Sequence, residues 1–260
     1  MNIAVLTIGD ELLNGDLADT NTTAIARQLC AYSYTIQRAE TVGDCEAEII
    51  ATLQRLATGY ETVIVTGGLG PTDDDRTARA AAKAFDRPLT VYATALRQIR
   101  DRFRAWKRPM HPRNEKQALL PNRARVIANE NGTAPGFHLK VETSDLFFMP
   151  GVPNEMLAML ADYVLAELQH KEPEPRPRIQ RILNIFGLAE PDVENRINQH
   201  GLPDEVELAF AVELPFVQVK LRANGEHAGQ QVDRAELAVR KELGGYFFGI
   251  GTESMAEVTA

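Results

Sequence analysis

The sequence predicts an α/β protein, with a mostly parallel sheet covered by helices on both faces, joined to a small α+β domain. Three observations carry this. Strand-like and helix-like segments alternate regularly through the first 170 residues, as successive βα units do. A buried β-branched strand (Val63, Ile64, Val65) runs into a glycine turn and three consecutive carboxylates, the order in which open α/β sheets place ligand sites. The stretch Glu172-Pro173-Glu174-Pro175-Arg176-Pro177 is stiff and extended, and it divides the chain. The expected organisation is a first domain over 1–170, a proline-rich linker over 171–178 and a second domain over 179–260.

Taken in order, Ile3-Ala4-Val5-Leu6-Thr7-Ile8 reads as a buried strand ending in the polar loop Gly9-Asp10-Glu11-Leu12-Leu13-Asn14-Gly15. Asp19-Thr20-Asn21 then precede a helix with Ile25, Ala26 and Leu29 on one face. A strand over 35–42 follows, and Gly43-Asp44 opens a helix with Ile49, Ile50, Leu53 and Leu56 as its apolar stripe. After the central strand, Gly67, Gly68 and Gly70 lack a Cβ and accept positive φ, so the backbone can curl and bring N–H groups close to an anion. Pro71 stiffens the turn. Thr72 with Asp75 approximates a capping box ahead of a helix carrying Ala78, Ala81, Ala82 and Phe85.

The three carboxylates Asp73, Asp74 and Asp75 admit two readings. They could simply cap the helix and complement its dipole, which accounts better for one or two of them than for three. Alternatively a phosphate sits at this helix start, as glycine turns favour. Unit charges about 4 Å apart then repel by a few kcal/mol at intermediate dielectric, and a divalent cation such as Mg²⁺ or Mn²⁺ removes the conflict. Asp10 and Glu11 follow another strand. Parallel strands deliver their carboxyl ends to one edge, which turns this second acidic pair from ordinary turn residues into site candidates.

The span 97–125 carries ten Lys or Arg against Asp101 and Glu115, a local reversal read either as a solvated helix face or as a basic lid over a polyanionic small molecule. Asn129 to Phe137 is turn-rich. A strand over 145–149 breaks at Pro150-Gly151-Val152-Pro153, and a helix over 154–168 follows with Met156, Leu157, Leu160, Val164 and Leu168 facing a core. Beyond the linker the pattern is strand 181–186, helix 191–199, strands 206–212 and 216–221, helix 234–243 and strand 246–250. That βαββαβ order makes a small sandwich.

Composition narrows the function classes. The 260 residues include 28 basic and 36 acidic ones, a formal charge of −8, which argues against a general nucleic-acid or anionic-membrane binder. From Arg176 onward the balance is 9 − 13 = −4, so the second domain offers no basic groove. No apolar run approaches the roughly 20 residues that span a bilayer, and the N-terminus has no signal-peptide pattern, so a cytoplasmic location is expected. Cys30 and Cys45 form no C-x-x-C pair and read as reduced bystanders. The five histidines show no ligand spacing, and no nucleophile motif for covalent catalysis is present.

Six motifs in order carry a resemblance. They are Gly9-Asp10-Glu11-Leu12-Leu13 with Asp19-Thr20-Asn21; Val42-Gly43-Asp44; Thr66 to Thr77; Asn114-x-Lys116-Gln117-Ala118; Gly132-Thr133-Ala134-Pro135-Gly136; and Met149-Pro150-Gly151-Val152-Pro153-x-Glu155-Met156. With them the chain resembles the CinA (competence/damage-inducible protein A) family. Its first domain is similar to the three-layer molybdopterin-binding MoaB/Mog fold and its second to that family's small KH-like domain, although no G-x-x-G flanked by basic residues is present to clamp a nucleic acid. The resemblance implies a divalent-metal-dependent pyrophosphatase acting on ADP-ribose or a related nucleotide. By the same carry-over, Asp10, Glu11, Asp74 and Asp75 are catalytic, with Glu11, Asp74 and Asp75 as metal ligands. Asn21, Gly67, Gly68, Gly70, Thr72, Lys116, Gly132, Thr133, Gly151 and Pro153 line the ligand. The implied cofactor is Mg²⁺, Mn²⁺ or Co²⁺, with a monovalent cation as an optional addition, and a homo-oligomer, a dimer foremost, is expected. Longer CinA proteins carry a further C-terminal amidase domain; with the sequence ending at Ala260, amidase activity is not expected. Two alternatives stand beside hydrolysis: a pterin-binding protein of molybdenum cofactor metabolism, and a non-catalytic nucleotide-binding regulator.

Overall fold

The computed structural model describes residues 1–173 and 177–251, apart from the side chain of His200. The chain forms two compact units, Met1–Glu174 and Pro175–Ala260. Of the expected linker over 171–178, Glu174, Pro175 and Arg176 lie outside the described residues; Lys171 ends a helix and Arg178 begins a strand, so the extended connection is shorter than that span.

In the first unit the elements run β1 (Ile3–Ile8), α1 (Asp10–Leu13), α2 (Thr20–Ala31), β2 (Ile36–Val42), α3 (Glu46–Gly59), β3 (Thr62–Thr66), α4 (Thr77–Ala84), β4 (Leu89–Val91), α5 (Ala93–Ala105), β5 (Leu119–Pro121), β6 (Arg125–Ile127), β7 (Gly136–Val141), β8 (Ser144–Met149), α6 (Pro153–Met159) and α7 (Leu165–Lys171). A π-helical turn, Leu160–Val164, joins α6 to α7. The main sheet has the order β2-β1-β3-β8-β7-β6, its first four strands parallel and the last two antiparallel. It is the mostly parallel sheet the alternation predicts.

Alternating side chains on the central strands explain the three layers. Ala4, Leu6, Val63 and Val65 meet Ile49, Leu53 and Leu56 of α3 with Ala80 and Ala81 of α4 on one face. Ile3, Val5 and Ile64 meet Ile25 and Leu29 of α2 with Met156, Leu160 and Leu168 on the other. Strands buried on both faces read as continuous apolar runs, which is why β1 and β3 are legible in the sequence.

Three expectations are corrected. The segment after β1 contains a short helix, α1, rather than a plain loop. The helix after the glycine turn starts at Thr77, not beside Thr72, so the three carboxylates precede it in a bent loop. Strands β4 to β7 add to the single strand expected between 86 and 150; three residues each in β4, β5 and β6 leave too short an alternation to read.

On β7 a buried histidine, paired with Asp145 at the start of β8, organises the edge away from the glycine turn. His138 stacks on Phe147 with ring centroids 4.4 Å apart. A carboxylate can only accept here, so Nε2–H donates to Asp145 Oδ1 at 3.0 Å, and Nδ1 accepts from the Tyr163 hydroxyl at 3.3 Å. Burial holds the imidazole below its ordinary pKa, against the opposing pull of Asp145. The unfolded chain takes up a proton near pH 6.5 while the folded chain does not, so the contribution of this residue is complete above that pH and is lost as pH falls below it. Urea unfolding between about pH 7.5 and 5 is expected to show stability falling with pH, and His138→Gln is expected to flatten that dependence while lowering stability at the upper end. An equal slope in the variant would remove His138 as the cause.

The second unit contains β9 (Arg178–Phe186), α8 (Glu190–His200), β10 (Glu207–Glu213), β11 (Phe216–Asn224), α9 (Ala228–Leu243) and β12 (Phe247–Ile250). Its sheet, ordered β10-β11-β9-β12, is antiparallel throughout. Leu183, Ile185, Val217, Val219 and Leu221 bury one face against Val193 and Ile197 of α8 and Val232, Ala235 and Val239 of α9.

Candidate functional site

The first unit's sheet places its chemistry at one edge. Strands β1, β2, β3 and β8 are parallel, so Gly9-Asp10-Glu11, Gly43-Asp44, the Gly67 to Asp75 loop and Pro150 to Pro153 all emerge at their carboxyl ends. With the order β2-β1-β3-β8, connections leave β1 and β3 in opposite directions, and a crevice opens between them.

The glycine turn is built by close approach. Gly67 has φ +109° and its N–H donates to Met149 O at 3.1 Å, while a Cβ there would sit 2.1 Å from the Ile8 carbonyl oxygen. Gly68 has φ +64°, and a Cβ would sit 2.3 Å from Thr77 Oγ1. Thr77 in turn pins the turn to α4, its hydroxyl donating to Gly67 O at 2.8 Å and its N–H to Gly68 O at 3.1 Å.

A cleft of about 370 Å³ lies beside this turn, lined by residues of β1, α1, α2, β3 and the loop after β8. Of the residues singled out from sequence it gathers Glu11, Asn21, Gly67, Gly151 and Pro153. Asn21 is fixed across its floor: Nδ2 donates to Gly151 O at 2.7 Å and to Thr66 Oγ1 at 3.1 Å, and the Thr66 hydroxyl donates onward to Pro150 O at 2.9 Å.

Beside the cleft the carboxylates form a second group. Asp10 and Asp44 clasp each other through reciprocal bonds, Asp10 N–H to Asp44 Oδ2 at 3.1 Å and Asp44 N–H to Asp10 Oδ1 at 3.0 Å. Partial burial raises the Asp44 carboxyl above its ordinary range; the backbone N–H of Asp10 opposes this, and the charges of Asp10, Glu11 and Asp74 add to the rise. Loops from β1, β2 and β3 thus meet electrostatically at Asp44. Asp44 was quoted from sequence as a helix start and in the motif Val42-Gly43-Asp44 but not as a site residue; its place after a third parallel strand was the available signal.

In the loop after Gly70, Asp75 acts within the turn, accepting from Thr72 N–H at 2.8 Å and from the Thr72 hydroxyl at 2.5 Å. Asp74 is exposed, and the Thr72 hydroxyl, nearby backbone N–H groups and the Lys116 charge hold it below its ordinary range. The single Thr72 proton is within reach of both carboxylates, and its short contact is to Asp75. Lys116 Nζ donates to Thr72 O, and its neighbour Gln117 donates to Leu69 O at 3.5 Å, which docks the segment Pro112–Ala118 on the turn. Three other cations of the basic span are engaged elsewhere. Arg100 and Arg104 pair with Glu115 and Asp101 on the exposed face of α5, and Arg102 donates to Asn129 O at 3.1 Å.

Gly132 and Thr133 do not line the cleft; they sit in a loop held by Asn129, a residue not singled out from sequence. Its buried side chain accepts from Asn131 and Gly132 N–H at 3.0 and 2.8 Å, and donates to Ala134 O at 2.8 Å and to Glu155 Oε2 at 2.6 Å, tying the loop to α6. An asparagine two residues before an Asn-Gly pair is the signature of a turn closed by its own side chain, and that was the signal.

Among the described residues, no three His, Cys, Asp or Glu side chains converge as metal ligands. In kind, the donor set of Asp10, Glu11, Asp44 and Asp74 still suits a hard divalent cation, because all its ligating atoms are carboxylate oxygens. The mode that fits is a largely hydrated ion held by one or two carboxylates and by phosphate oxygens, rather than a cage made by the protein alone. No helix among the described residues is long and apolar enough to cross a membrane.

Comparison with known proteins gives a consistent picture. The family model described as "Probable molybdopterin binding domain" matches residues 4–170. A CinA-like protein of Syntrophotalea carbinolica is 51% identical over 256 residues, 98% of this chain and 62% of that protein. A CinA-like protein of Geobacter metallireducens is 44% identical over 252 residues, 95% of this chain and 60% of that protein. The chain thus spans 62% and 60% of the length of these two curated relatives. Among solved structures, the protein CinA of unknown function from Thermoplasma acidophilum is 32% identical, with 66% of this chain and 96% of that chain covered and a TM-score of 0.57.

Proposed function

Because this chain belongs to the CinA-like family, and its residues 4–170 to the molybdopterin-binding domain family, we propose that the edge formed by β1, β2, β3 and β8 binds a nucleotide pyrophosphate and hydrolyses it with the help of a divalent cation. ADP-ribose or a related dinucleotide is the substrate class. The observation that carries this reading is the reciprocal clasp of Asp10 and Asp44 between the β1 and β2 loops, next to a glycine turn whose backbone follows positive φ. Carboxylates brought to one sheet edge beside a glycine turn suit a metal-phosphate subsite.

Roles follow from position. Backbone N–H groups of the glycine turn orient phosphate oxygens, and Lys116, held beside Thr72, adds a positive charge at the same loop. Asp10 and Asp74 orient the attacking water and accept its proton. Asp75 closes the Thr72 turn and so sets where Asp74 stands. A bound divalent cation would supply charge neutralisation at the phosphates and a lowered pKa for a coordinated water. The deciding experiment is incubation of the full chain with ADP-ribose and Mg²⁺, Mn²⁺ or Co²⁺, scoring AMP release. Chelator-sensitive release supports the reading; none with any of the three metals, across a panel of nucleoside diphosphate sugars and dinucleotides, removes it.

Lys116→Ala is expected to weaken binding of a nucleoside diphosphate by roughly tenfold, the value of one charge-assisted hydrogen bond of about 1.5 kcal/mol. A monophosphate should lose less and an uncharged nucleoside nothing. Equal loss for all three in calorimetric titrations would indicate a disturbed fold instead.

A second reading is pterin binding without hydrolysis. It is favoured by the family model and by the apolar walls of the cleft, Leu12, Leu17, Ala18 and Pro153, against which a flat ring can stack.

A further inference from the structure

We infer that the amino ends of β3 and β8 carry a second binding site, in which Lys140 and Lys171 together hold the oxygens of a small carboxylate or phosphate. It lies at the opposite edge of the sheet from the acidic loops, and it does not depend on the function proposed for them.

Two cations converge here on one carboxylate. Asp145 is engaged on both oxygens: Oδ1 accepts from His138 at 3.0 Å, and Oδ2 accepts from Lys140 Nζ at 2.8 Å and from Lys171 Nζ at 3.1 Å. Burial alone would raise this carboxyl, but the two lysines and His138 hold it below its ordinary range, so it stays ionised and neutralises one ammonium of the two. The neighbouring Glu167 has its own partner in Arg125 at 3.4 Å. Each ammonium has three donors. Lys140 uses one on Asp145 and one on Thr143 O at 3.2 Å, and Lys171 uses one on Asp145 and one on Glu61 O at 2.8 Å. Among the described residues each therefore keeps one donor without a partner. Because both nitrogens sit on the same oxygen, they are no further apart than 2.8 and 3.1 Å laid end to end, a gap that the oxygens of one carboxylate or phosphate can bridge.

The surroundings limit what can bind. A cavity of about 200 Å³ adjoins the pair, lined by both lysines with Asp145 and Glu167 and walled by Phe147 and Leu168. It is small for a nucleotide and sufficient for a phosphate or a short carboxylic acid. Asp145 and Glu167 on the same wall disfavour a highly charged anion. Asp145 and Lys171 have side chains only 15% and 30% exposed, so water and salt screen the remaining charge less than on an open surface. The carboxylate is also fixed from behind. The π-helical turn Leu160–Val164 places Tyr163 so that its hydroxyl donates to His138 Nδ1 at 3.3 Å, which leaves Nε2–H for Asp145. Such turns recur at functional sites, and this one sets the oxygen on which both lysines meet.

The test is an NMR titration of the full chain with sodium acetate and, separately, with sodium phosphate. The lysine Cε–Hε resonances are followed at constant pH, with ionic strength held constant by sodium chloride. Lys140 and Lys171 are expected to shift together and saturably, with a dissociation constant of about 1 mM, the strength of two charge-assisted hydrogen bonds. Lys83 and Lys107, which do not line the cavity, should shift little. The salt that binds more tightly identifies the oxyanion as carboxylate or phosphate. Lys140→Gln is expected to weaken binding, read at Lys171, by about tenfold. Should that variant fold poorly, the selectivity of the shifts in the wild-type chain decides alone. Shifts of equal size at every lysine, no saturation by about 50 mM of either salt, or unchanged affinity in Lys140→Gln overturn the proposal.

Discussion

Asp10→Asn and Asp74→Asn are each expected to lower metal-dependent AMP release by about 100-fold or more, the range general acid–base groups supply, while leaving the fold intact. The substitutions are chosen for what they keep. An asparagine side chain in place of Asp10 still offers the oxygen that accepts from Asp44 N–H, so the clasp between the β1 and β2 loops survives with one charge fewer. Asp74 is exposed and precedes α4 rather than capping it, so its removal should cost no more than about 1 kcal/mol of stability. Removing either charge also relieves the repulsion on Asp44, whose carboxyl should titrate closer to its ordinary range in NMR. Asp75→Asn is expected to behave differently. It weakens the turn that Thr72 closes and should lower both binding and turnover modestly. Full activity with unchanged metal dependence in the Asp10 and Asp74 variants would reduce the carboxylates to loop structure.

Gly67→Ala is expected to destabilise the first unit by about 3–5 kcal/mol, near the upper end for a single substitution. Two costs add. The residue adopts φ +109°, which side chains rarely take, and the new Cβ would lie 2.1 Å from the Ile8 carbonyl oxygen, a backbone atom fixed in the central sheet. Gly151→Ala is the control, since a Cβ there would meet Gly67 Cα at 3.5 Å, an ordinary contact, and it should cost less than about 1 kcal/mol. Trp106, the sole tryptophan, lies in the first unit and reports its unfolding in denaturant. Similar costs for the two alanines would show that the approach of the turn to β1 is not what demands glycine at 67.

By itself the sequence determined the layers. β1 and β3 are uninterrupted apolar runs because both faces of a parallel sheet are covered, and Ile49, Leu53 and Leu56 or Ile25 and Leu29 repeat at helical spacing because each helix buries one stripe. The glycine turn was equally plain, since positive φ and close backbone approach leave few alternatives to glycine at 67 and 68. What only the tertiary structure decided was how side chains from distant segments share one edge. The start of α4 moved to Thr77 because Asp75 closes a turn with Thr72 before the helix begins, a choice between two local bonding patterns that propensity does not separate. Asp44 joins Asp10, Glu11 and Asp74 through strand order, and strand order is set by packing across the sheet. Within the cluster of cations, Lys116 reaches the glycine-turn loop because the docked segment aims it at Thr72, while helical phase turns Arg100 and Arg104 toward solvent partners. The carboxamide of Asn21 is the clearest case: its identity was in the sequence, but its orientation follows from Thr66, Pro150 and Gly151, which lie 45 or more residues away along the chain.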